Sequence, residues 1–194
     1  MRRYFIALED PDLAYLVQGT PEFSSYIRDM LWAQQYAYAS RARMDRVLSD
    51  ALFSVVGRGS RARTINCHHN FTVAETHHGR EMWITRKGAI KADKGDLGVI
   101  PGSMGTRSYS VHGLGNPASY NSCSHGAGRR MSRTEARKTL TTQSLEEAMR
   151  GRTWNSDRAI ALLDEYKPID QVMAAQTDLV QVLHELRQIF NYKG

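Results

Sequence analysis

Residues 123–133 read Cys-Ser-His-Gly-Ala-Gly-Arg-Arg-Met-Ser-Arg, and this stretch decides how the rest of the chain is interpreted. His125 precedes two glycines, Gly126 and Gly128, which let the backbone turn sharply and approach a ligand closely. Consecutive backbone N–H groups in such a turn form a concave site for an anion. Ser132 is placed to cap a following helix, whose positive end would face the same anion. The stretch therefore predicts a phosphate-binding loop that contains one nucleophile or metal ligand.

Three arginines, Arg129, Arg130 and Arg133, follow the glycine turns. Their planar guanidinium groups are suited to binding phosphate oxygens. The residues by themselves leave an alternative open, in which His125 is an ordinary loop histidine and the arginines form the solvated face of a helix.

Composition limits the class of protein. The chain has 194 residues, enough for one buried core, and a net charge of +6, which suits an anionic partner without identifying it. No run of about 18 apolar residues is present, so we expect no membrane span. Cys67 and Cys123 are the only cysteines, which favours reduced thiols in the cytoplasm over a disulfide framework.

The hydrophobic pattern predicts a mixed α/β fold. We expect a short strand within residues 4–16, with a turn at Asp10-Pro11. A helix then has Thr20 as its N-cap and Pro21 at its first position and runs to about residue 56. Further strands are expected at 65–71, 82–85 and 109–112, and further helices at 133–150 and 172–186.

Two histidine pairs follow the long helix. His68 and His69 fall in the strand predicted at 65–71, where neighbouring side chains point to opposite faces, so one can reach a site while the other packs. Imidazole is a usual ligand for zinc, manganese or iron, and a pair of surface histidines is the alternative. His77 and His78 fall in a predicted hairpin turn, where we expect both to be exposed to solvent.

A second glycine-rich turn, Gly98–Gly105, follows an apolar strand. Such a turn presents N–H groups to phosphate, although it lacks the lysine of a P-loop. Lys87, before Gly88, is either a phosphate donor or a solubilising charge at a strand end.

Together these motifs resemble those of RtcB-type RNA ligases, the tRNA-splicing ligase family. The central stretch is similar to the family signature His-Gly-Ala-Gly-Arg-x-Met-Ser-Arg. Residues 68–70, 86–89 and 101–105 match the family's His-His-Asn, Arg-Lys-Gly-Ala and Pro-Gly-Ser-Met-Gly motifs in order, and the chain ends in the family's Lys-Gly. The resemblance implies a mixed α/β fold in which sheets pack against helices around a central cleft for nucleotide and metal.

The resemblance also implies GTP and Mn²⁺ as cofactors. His125 would be the nucleophile that carries GMP, and His69 would bind Mn²⁺. The other catalytic residues that it implies are Arg129, Arg133 and Lys87. The nucleotide-binding residues that it implies are His69, Asn70, Pro101, Gly102, Ser103, Met104, Ser108, His125, Gly126, Ala127, Gly128, Tyr166 and Lys193.

The family's catalytic domain is longer than this chain and carries metal ligands in an N-terminal half whose motifs are absent from this sequence. We therefore expect residues 1–194 to form the C-terminal part of a single RtcB-like catalytic domain. The expected partners are RNA, GTP, and a complementary N-terminal half or an activator protein.

The implied reaction joins RNA 3′-phosphate or 2′,3′-cyclic phosphate ends to 5′-hydroxyl ends through a histidine–GMP intermediate, in tRNA splicing or RNA repair. Two other hypotheses stay open from the sequence. One is an inactive fragment that retains nucleotide or RNA binding, and the other is a metal-dependent phosphohydrolase that uses His69 and His125.

Overall fold

A computed structural model of the protein describes residues 7–132, 149–154 and 166–191, together with residues 135, 138, 143, 146 and 147. Helices and mostly antiparallel strands are combined in it, so the fold is mixed α/β, as predicted. The elements are α1 (Pro21–Val56), β1 (Asn70–His77), β2 (Arg80–Lys87), β3 (Ala89–Lys91), β4 (Leu97–Ile100), β5 (Ser108–Gly113), β6 (Ser122–Ser124), β7 (Thr153–Trp154), α2 (Ile169–Ala174), β8 (Val180–Leu186) and β9 (Phe190–Asn191).

The long helix α1 begins and ends where the sequence provides caps. The Thr20 hydroxyl oxygen accepts a hydrogen bond from the Phe23 backbone N–H (3.3 Å), and Pro21 occupies the first helical position. At the other end, Gly57 adopts a φ of 72° and donates its N–H to the Phe53 carbonyl (2.9 Å). The predicted helix is therefore confirmed. Among the described residues, no helix combines the length and the apolar composition that a membrane span needs.

The described strands pair in small sheets. β1 and β2 form a hairpin that pairs from Asn70 opposite Lys87 to His77 opposite Arg80. β5 is the central strand of a three-stranded antiparallel sheet, with β4 and β8 on either side. β3 pairs with β6, and β7 pairs in parallel with β9. The strands predicted at 82–85 and 109–112 are confirmed within β2 and β5.

A hydrophobic core packs the three-stranded sheet against α2 and against the β3–β6 pair. Ile90 of β3, Ile100 of β4 and Val111 of β5 are almost completely buried. Cys123 of β6 and Met173 of α2 belong to the same cluster. Because β6 leads directly into the glycine-rich loop, this core determines where that loop begins.

The C-terminal segment differs from the predicted helix over 172–186. Helix α2 ends at Ala174, and Val180–Leu186 forms strand β8, which pairs with β5. The apolar residues of this segment fit a helical spacing, but pairing with β5 satisfies the backbone groups of both strands, and β-branched residues such as Val180 and Val182 suit a strand. Non-local pairing therefore outweighs the local pattern, and the helix prediction is wrong beyond Ala174.

The strand predicted within residues 4–16 is also wrong in its described part. Residues 7–16 contain a short 3₁₀ helix, Pro11–Leu13, and no strand. The Asp10 carboxylate caps this helix by accepting a hydrogen bond from the Asp12 N–H (2.8 Å). The Asp-Pro pair thus starts a helical turn at the position of the predicted turn, whereas residues 7–16 contain no part of the predicted strand.

The helix predicted after the glycine-rich loop begins with the expected cap. The Ser132 hydroxyl oxygen accepts a hydrogen bond from the Glu135 N–H (3.1 Å). The described residues of the stretch from 135 to 147 are helical, and the other residues of that stretch lie outside the described part of the chain.

The buried thiol of Cys123 gives a first testable prediction. Cys123 is 3% exposed, and burial, with a contribution from Cys67, raises its pKa to about 12. Because the thiolate is the reactive form, we expect iodoacetamide at about pH 8 to modify the half-buried Cys67 and to spare Cys123 until urea unfolds the protein. Mass spectrometry of the peptides checks this, and equal modification of both thiols in the folded protein would contradict it.

Candidate functional site

The loop that follows β6 is held in place from two sides. The Ser124 backbone N–H donates to the side-chain oxygen Oε1 of Gln176 (3.0 Å), and the Ser124 hydroxyl donates to the Gly126 carbonyl. The next residue, His125, donates its N–H to the carbonyl of Gly88, which follows β2 (3.1 Å). These bonds fix the backbone at the beginning of the predicted phosphate-binding loop.

The loop lines a cavity of about 600 Å³, a volume within the range of small-ligand sites. The lining combines the loop with Gly88 after β2, the turn after β4, the segment before α2 and one residue of α2, which are far apart in the sequence. The described lining residues are Gly88, Pro101, Gly102, Ser124–Arg129, Tyr166, Lys167 and Val172. The structure therefore brings together most of the motifs that the sequence singled out.

His125 lies in this lining and stacks on His69. The two ring centroids are 3.9 Å apart and the ring planes differ by 9°. Burial, and then the neighbouring His69, lower the pKa of His125 to about 4, while burial and Arg41 lower the pKa of His69. Both imidazoles are therefore neutral near pH 7. Among the described residues, Nδ1 of His125 is buried and has no hydrogen-bond partner, so Nε2 is the nitrogen that remains to reach a ligand.

His68 and His69 do not lie in a strand, because β1 begins at Asn70. The two rings nevertheless have different neighbours. His68 packs against the rings of Tyr38 and Phe71, with centroids 5.8 and 5.6 Å away, while His69 stacks on His125, which lines the cavity. His69 itself is not among the described lining residues. One histidine of the pair packs among aromatic rings and the other stacks on His125, and strand alternation does not cause the difference, because both residues precede β1.

Helix α1 positions the segment that carries this histidine pair. Arg41 donates from Nε to the side-chain oxygen of Asn66 (2.7 Å) and contacts Nδ1 of His68 (3.3 Å). Further up the helix, the Gln34 amide bonds the backbone of Thr72 twice, accepting from its N–H (2.5 Å) and donating to its carbonyl (3.1 Å). The segment before β1 and the strand itself are thereby attached to one rigid helix.

The turn after β4 contributes mainly backbone to the site. Pro101 and Gly102 line the cavity. A Cβ at position 102 would lie 2.2 Å from the Arg107 carbonyl oxygen, so this turn accepts only glycine there. Three further predicted residues are buried behind the lining: Ser103, Met104 and Ser108. Ser108 accepts a hydrogen bond from the Gly102 N–H (3.3 Å), which supports the turn from behind.

Asn70 and Lys87 lie opposite each other at one end of the β1–β2 hairpin and are both exposed. The Asn70 side chain accepts a hydrogen bond from the N–H of Gly88 (3.0 Å), the residue whose carbonyl accepts the His125 N–H. Neither Asn70 nor Lys87 is among the described residues that line the cavity. The structure places this pair beside the cavity, one residue away from its wall.

Two residues on the far side of the cavity come from the segment before α2. Tyr166 forms an isolated antiparallel bridge with Arg129, and the Lys167 N–H donates to the Gly128 carbonyl (2.9 Å). Lys167 is a lining residue that no sequence motif indicates, because only this pairing brings it to the loop. Two other predicted site residues lie outside the described residues: Arg133 and Lys193.

Comparison with known proteins establishes the family. The family model described as tRNA-splicing ligase RtcB matches residues 1–194. The chain belongs to the RtcB family. It is 44% identical over 205 residues to RNA-splicing ligase RtcB of Escherichia coli (strain K12) and 31% identical over 224 residues to RNA-splicing ligase RtcB of Mycobacterium tuberculosis (strain ATCC 25618 / H37Rv).

A third RtcB relative, tRNA-splicing ligase RtcB of Aeropyrum pernix, is 29% identical over 224 residues. The three alignments cover 100% of this chain, but only 50%, 50% and 47% of the respective relatives. The chain therefore spans about half the length of the curated relatives it matches.

Arg86, the first residue of the Arg-Lys-Gly-Ala stretch in this RtcB-family chain, forms a buried ion pair with Glu75 that the sequence does not reveal. Arg86, with 2% of its side chain exposed, donates from both terminal nitrogens to the two carboxylate oxygens of Glu75 (2.8 Å each). It also donates to the Ser122 hydroxyl oxygen and the Tyr120 carbonyl (2.9 Å each). Burial opposes ionisation of Glu75, but the bonds from Arg86 and His77 outweigh burial and lower its pKa. Arg86 thus joins the hairpin to the segment that leads into the glycine-rich loop.

His77 is buried against the same carboxylate, so its predicted exposure is wrong. Its side chain is 5% exposed, and Nε2 lies 2.7 Å from Oε2 of Glu75. The ring also meets Tyr120 edge-on, with centroids 5.3 Å apart. The hairpin turn itself is present, with positive φ at His78 and Gly79, and His78 is exposed as expected.

The described residues do not by themselves build a metal site for this RtcB-family chain. Within the described part, no three histidine, cysteine, aspartate or glutamate side chains come together. His69 offers one imidazole beside the cavity-lining His125, and the two rings stack face to face. A divalent metal needs more donors than one, so any metal bound here requires ligands from elsewhere.

Proposed function

We propose that this chain carries the GMP-accepting histidine of an RNA ligase. The ligase joins 3′-phosphate or 2′,3′-cyclic phosphate ends of RNA to 5′-hydroxyl ends, in tRNA splicing or RNA repair. The observation that carries the proposal is the position of His125, a neutral imidazole in the lining of a glycine-rich cavity that is large enough for a nucleotide. The names of the relatives support the reaction class. The free thiols of Cys67 and Cys123 suit the cytoplasm, where we place the reaction.

In the first step, Nε2 of His125 attacks the α-phosphorus of GTP. A phosphorus–nitrogen bond forms, the bond between the α-phosphorus and the bridging oxygen breaks, and pyrophosphate leaves. A pKa of about 4 keeps the imidazole lone pair available at neutral pH. The backbone of Gly126 and Gly128 and the guanidinium of Arg129 are the groups that we assign to the phosphate oxygens.

In the second step, an oxygen of the RNA 3′-phosphate attacks the GMP phosphorus, and the imidazole leaves. The 5′-hydroxyl of the other RNA strand then attacks the activated 3′-phosphate, GMP leaves, and a phosphodiester joins the strands. A 2′,3′-cyclic phosphate is first opened by water to a 3′-phosphate. Arg129 and Arg133 would hold phosphate oxygens in these steps, and Lys87, at the edge of the cavity, would assist joining.

The guanine nucleotide is assigned to the same cavity. Pro101, Gly102 and Ala127 would form its wall, and Tyr166 would contact the base. Ser103, Met104 and Ser108 would act by holding the turn after β4, and Asn70 by holding Gly88, since none of these side chains belongs to the described lining. Lys193 would read the guanine, in keeping with the family's C-terminal Lys-Gly.

Mn²⁺ is the metal that we propose for this reaction. His69 would supply one ligand, and the bound metal would neutralise charge on the phosphates. Its other ligands would come from a complementary N-terminal part, because the described residues supply no set of three donors.

We propose that residues 1–194 form the C-terminal part of one catalytic domain and that the complementary part packs on α1. Four large side chains of α1 are 67–85% exposed: Trp32, Tyr36, Leu48 and Val55. Such an exposed apolar surface is typical of an interaction site. The relatives, twice as long as the matched region, contain a segment of suitable size. An activator protein is the other proposed partner.

Joining of two RNA strands tests the proposed function. The chain is mixed with the N-terminal half of the Escherichia coli relative, GTP, Mn²⁺, a labelled RNA that ends in a 3′-phosphate and an RNA that begins with a 5′-hydroxyl. We expect a joined product that requires both proteins and GTP, and none when the second strand begins with a 5′-phosphate. No joining under any of these conditions would contradict the proposal, and phosphate release without GTP would favour a phosphohydrolase.

A second candidate is a nucleotide- or RNA-binding fragment without activity. The lack of three clustered metal donors in the described residues favours it. This candidate predicts salt-sensitive RNA binding without joining, even in the presence of the complementary half.

A further inference from the structure

A second cavity, of about 720 Å³, lies directly beside the proposed GTP cavity. The two cavities share three lining residues, Ser124, Lys167 and Val172. A ligand in the second cavity would therefore lie next to the loop that carries His125. None of the steps assigned above uses this cavity.

The charge of the second cavity suits an anion. Arg130 and Lys167 lie in its lining, and none of the described lining residues carries a carboxylate. Arg130 also occupies the one open position, x, of the family signature His-Gly-Ala-Gly-Arg-x-Met-Ser-Arg, so the signature assigns it no role. Arginine binds phosphate oxygens through two parallel hydrogen bonds and stacks on planar bases.

The other lining residues suit a ligand that has a flat apolar face and a polar edge. Pro168, Val172 and Leu179 supply apolar contacts, and Gln171 supplies an exposed amide. The wall of the cavity is attached to the loop that carries His125, because the buried Gln176 (4% exposed) accepts a hydrogen bond from the Ser124 N–H. A base is recognised by this combination of apolar contact and amide hydrogen bonds.

We propose that the second cavity binds a nucleotide of the RNA strand that is joined, with its phosphate on Arg130 and Lys167 and its base on the apolar wall. This inference rests on the proposed function, and it names the place where the RNA lies relative to His125. The shared wall would bring the RNA end beside the GMP, and the absence of acidic groups from the described lining favours a polyanion.

The test measures binding of a fluorescent single-stranded RNA that ends in a 3′-phosphate, by anisotropy over a range of salt concentrations. Arg130→Gln removes one phosphate contact, so we expect affinity to fall about fivefold at about 0.1 M salt and the salt slope to decrease by about 0.7. Arg80→Gln is the matched control, because this exposed arginine at the hairpin turn lines neither cavity. It should leave both quantities unchanged.

A second variant tests the volume of the cavity without changing charge. Ala175 lines the cavity and is exposed, so Ala175→Trp would fill the space and weaken RNA binding about tenfold. Ala62→Trp, at an exposed loop position outside both cavities, is its control. The inference is overturned if either cavity variant matches its control, or if the variants weaken binding of GTP instead of RNA.

Labelling by GTP separates this inference from the proposed function. Ala175→Trp should accept GMP on His125 as the wild type does, because Ala175 does not line the cavity assigned to GTP. If the wild type accepts no GMP from GTP, the proposed function is refuted, but the RNA-binding result still stands. Normal labelling with unchanged RNA binding in both variants would refute only the inference.

Discussion

Replacing His125 by alanine is expected to lower the rate of RNA joining by on the order of 10³-fold or more. The variant removes the nitrogen that forms the bond to the GMP phosphorus, and every later step uses that GMP. Stability should change little by comparison, since the loop is held by the backbone of His125 and by the bonds of Ser124. Single-turnover joining of a labelled RNA with a 3′-phosphate measures the effect.

Two controls test whether the effect is specific to His125 and to the GMP-accepting step. His184→Gln removes an exposed imidazole on β8 and should change the joining rate by less than roughly twofold. RNA whose 3′-phosphate already carries GMP bypasses both the formation of histidine–GMP and the transfer of GMP to the RNA, so His125→Ala should seal it at close to the wild-type rate. The assigned role of His125 would be contradicted if His125→Ala joined ordinary ends at the wild-type rate, or if it could not seal RNA that already carries GMP.

Replacing Arg86 by alanine is expected to lower the free energy of unfolding by about 3–5 kcal/mol, because it leaves the Glu75 carboxylate buried and unpaired. The same guanidinium also contacts the Ser122 hydroxyl, the Tyr120 carbonyl and the face of Phe71, and these three contacts are lost with it. Urea denaturation followed by circular dichroism measures the change.

Arg80→Ala is the matched control for Arg86, since Arg80 lies on the same strand but is exposed, and it should cost less than about 0.5 kcal/mol. Replacing both members of the pair, Arg86→Met with Glu75→Leu, should recover part of the loss because no buried charge then remains. Equal losses for Arg80→Ala and Arg86→Ala would show that the ion pair contributes nothing to stability.

Features that depend on a few neighbouring residues could be predicted from the sequence. Thr20 and Pro21 fix the start of α1, Gly57 fixes its end, and Ser132 caps the helical turn after the glycine-rich loop. The central turn and its histidine were likewise visible, because glycine permits the close backbone geometry that a ligand-binding loop needs.

Features that depend on distant partners could not be predicted. Residues 180–186 carry a pattern that fits a helix, and only β5 makes them a strand. The polar turn predicts an exposed His77, whereas Glu75 pairs with its ring and Tyr120 packs against it edge-on. Lys167 reaches the cavity only because its backbone pairs with Gly128. For the site, the motifs predicted which stretches meet, but not which side chains line the cavity.

Covalent labelling of the protein by GTP is the most direct test of the central claim. The chain, by itself and mixed with the complementary half, is incubated with Mn²⁺ and GTP labelled on either the α- or the γ-phosphate, and the labelled peptide is identified by mass spectrometry. We predict acid-labile label from the α-phosphate only, on the peptide that contains His125, and no label in His125→Ala. No label, label at another residue, or transfer of the γ-phosphate would show that His125 does not carry GMP.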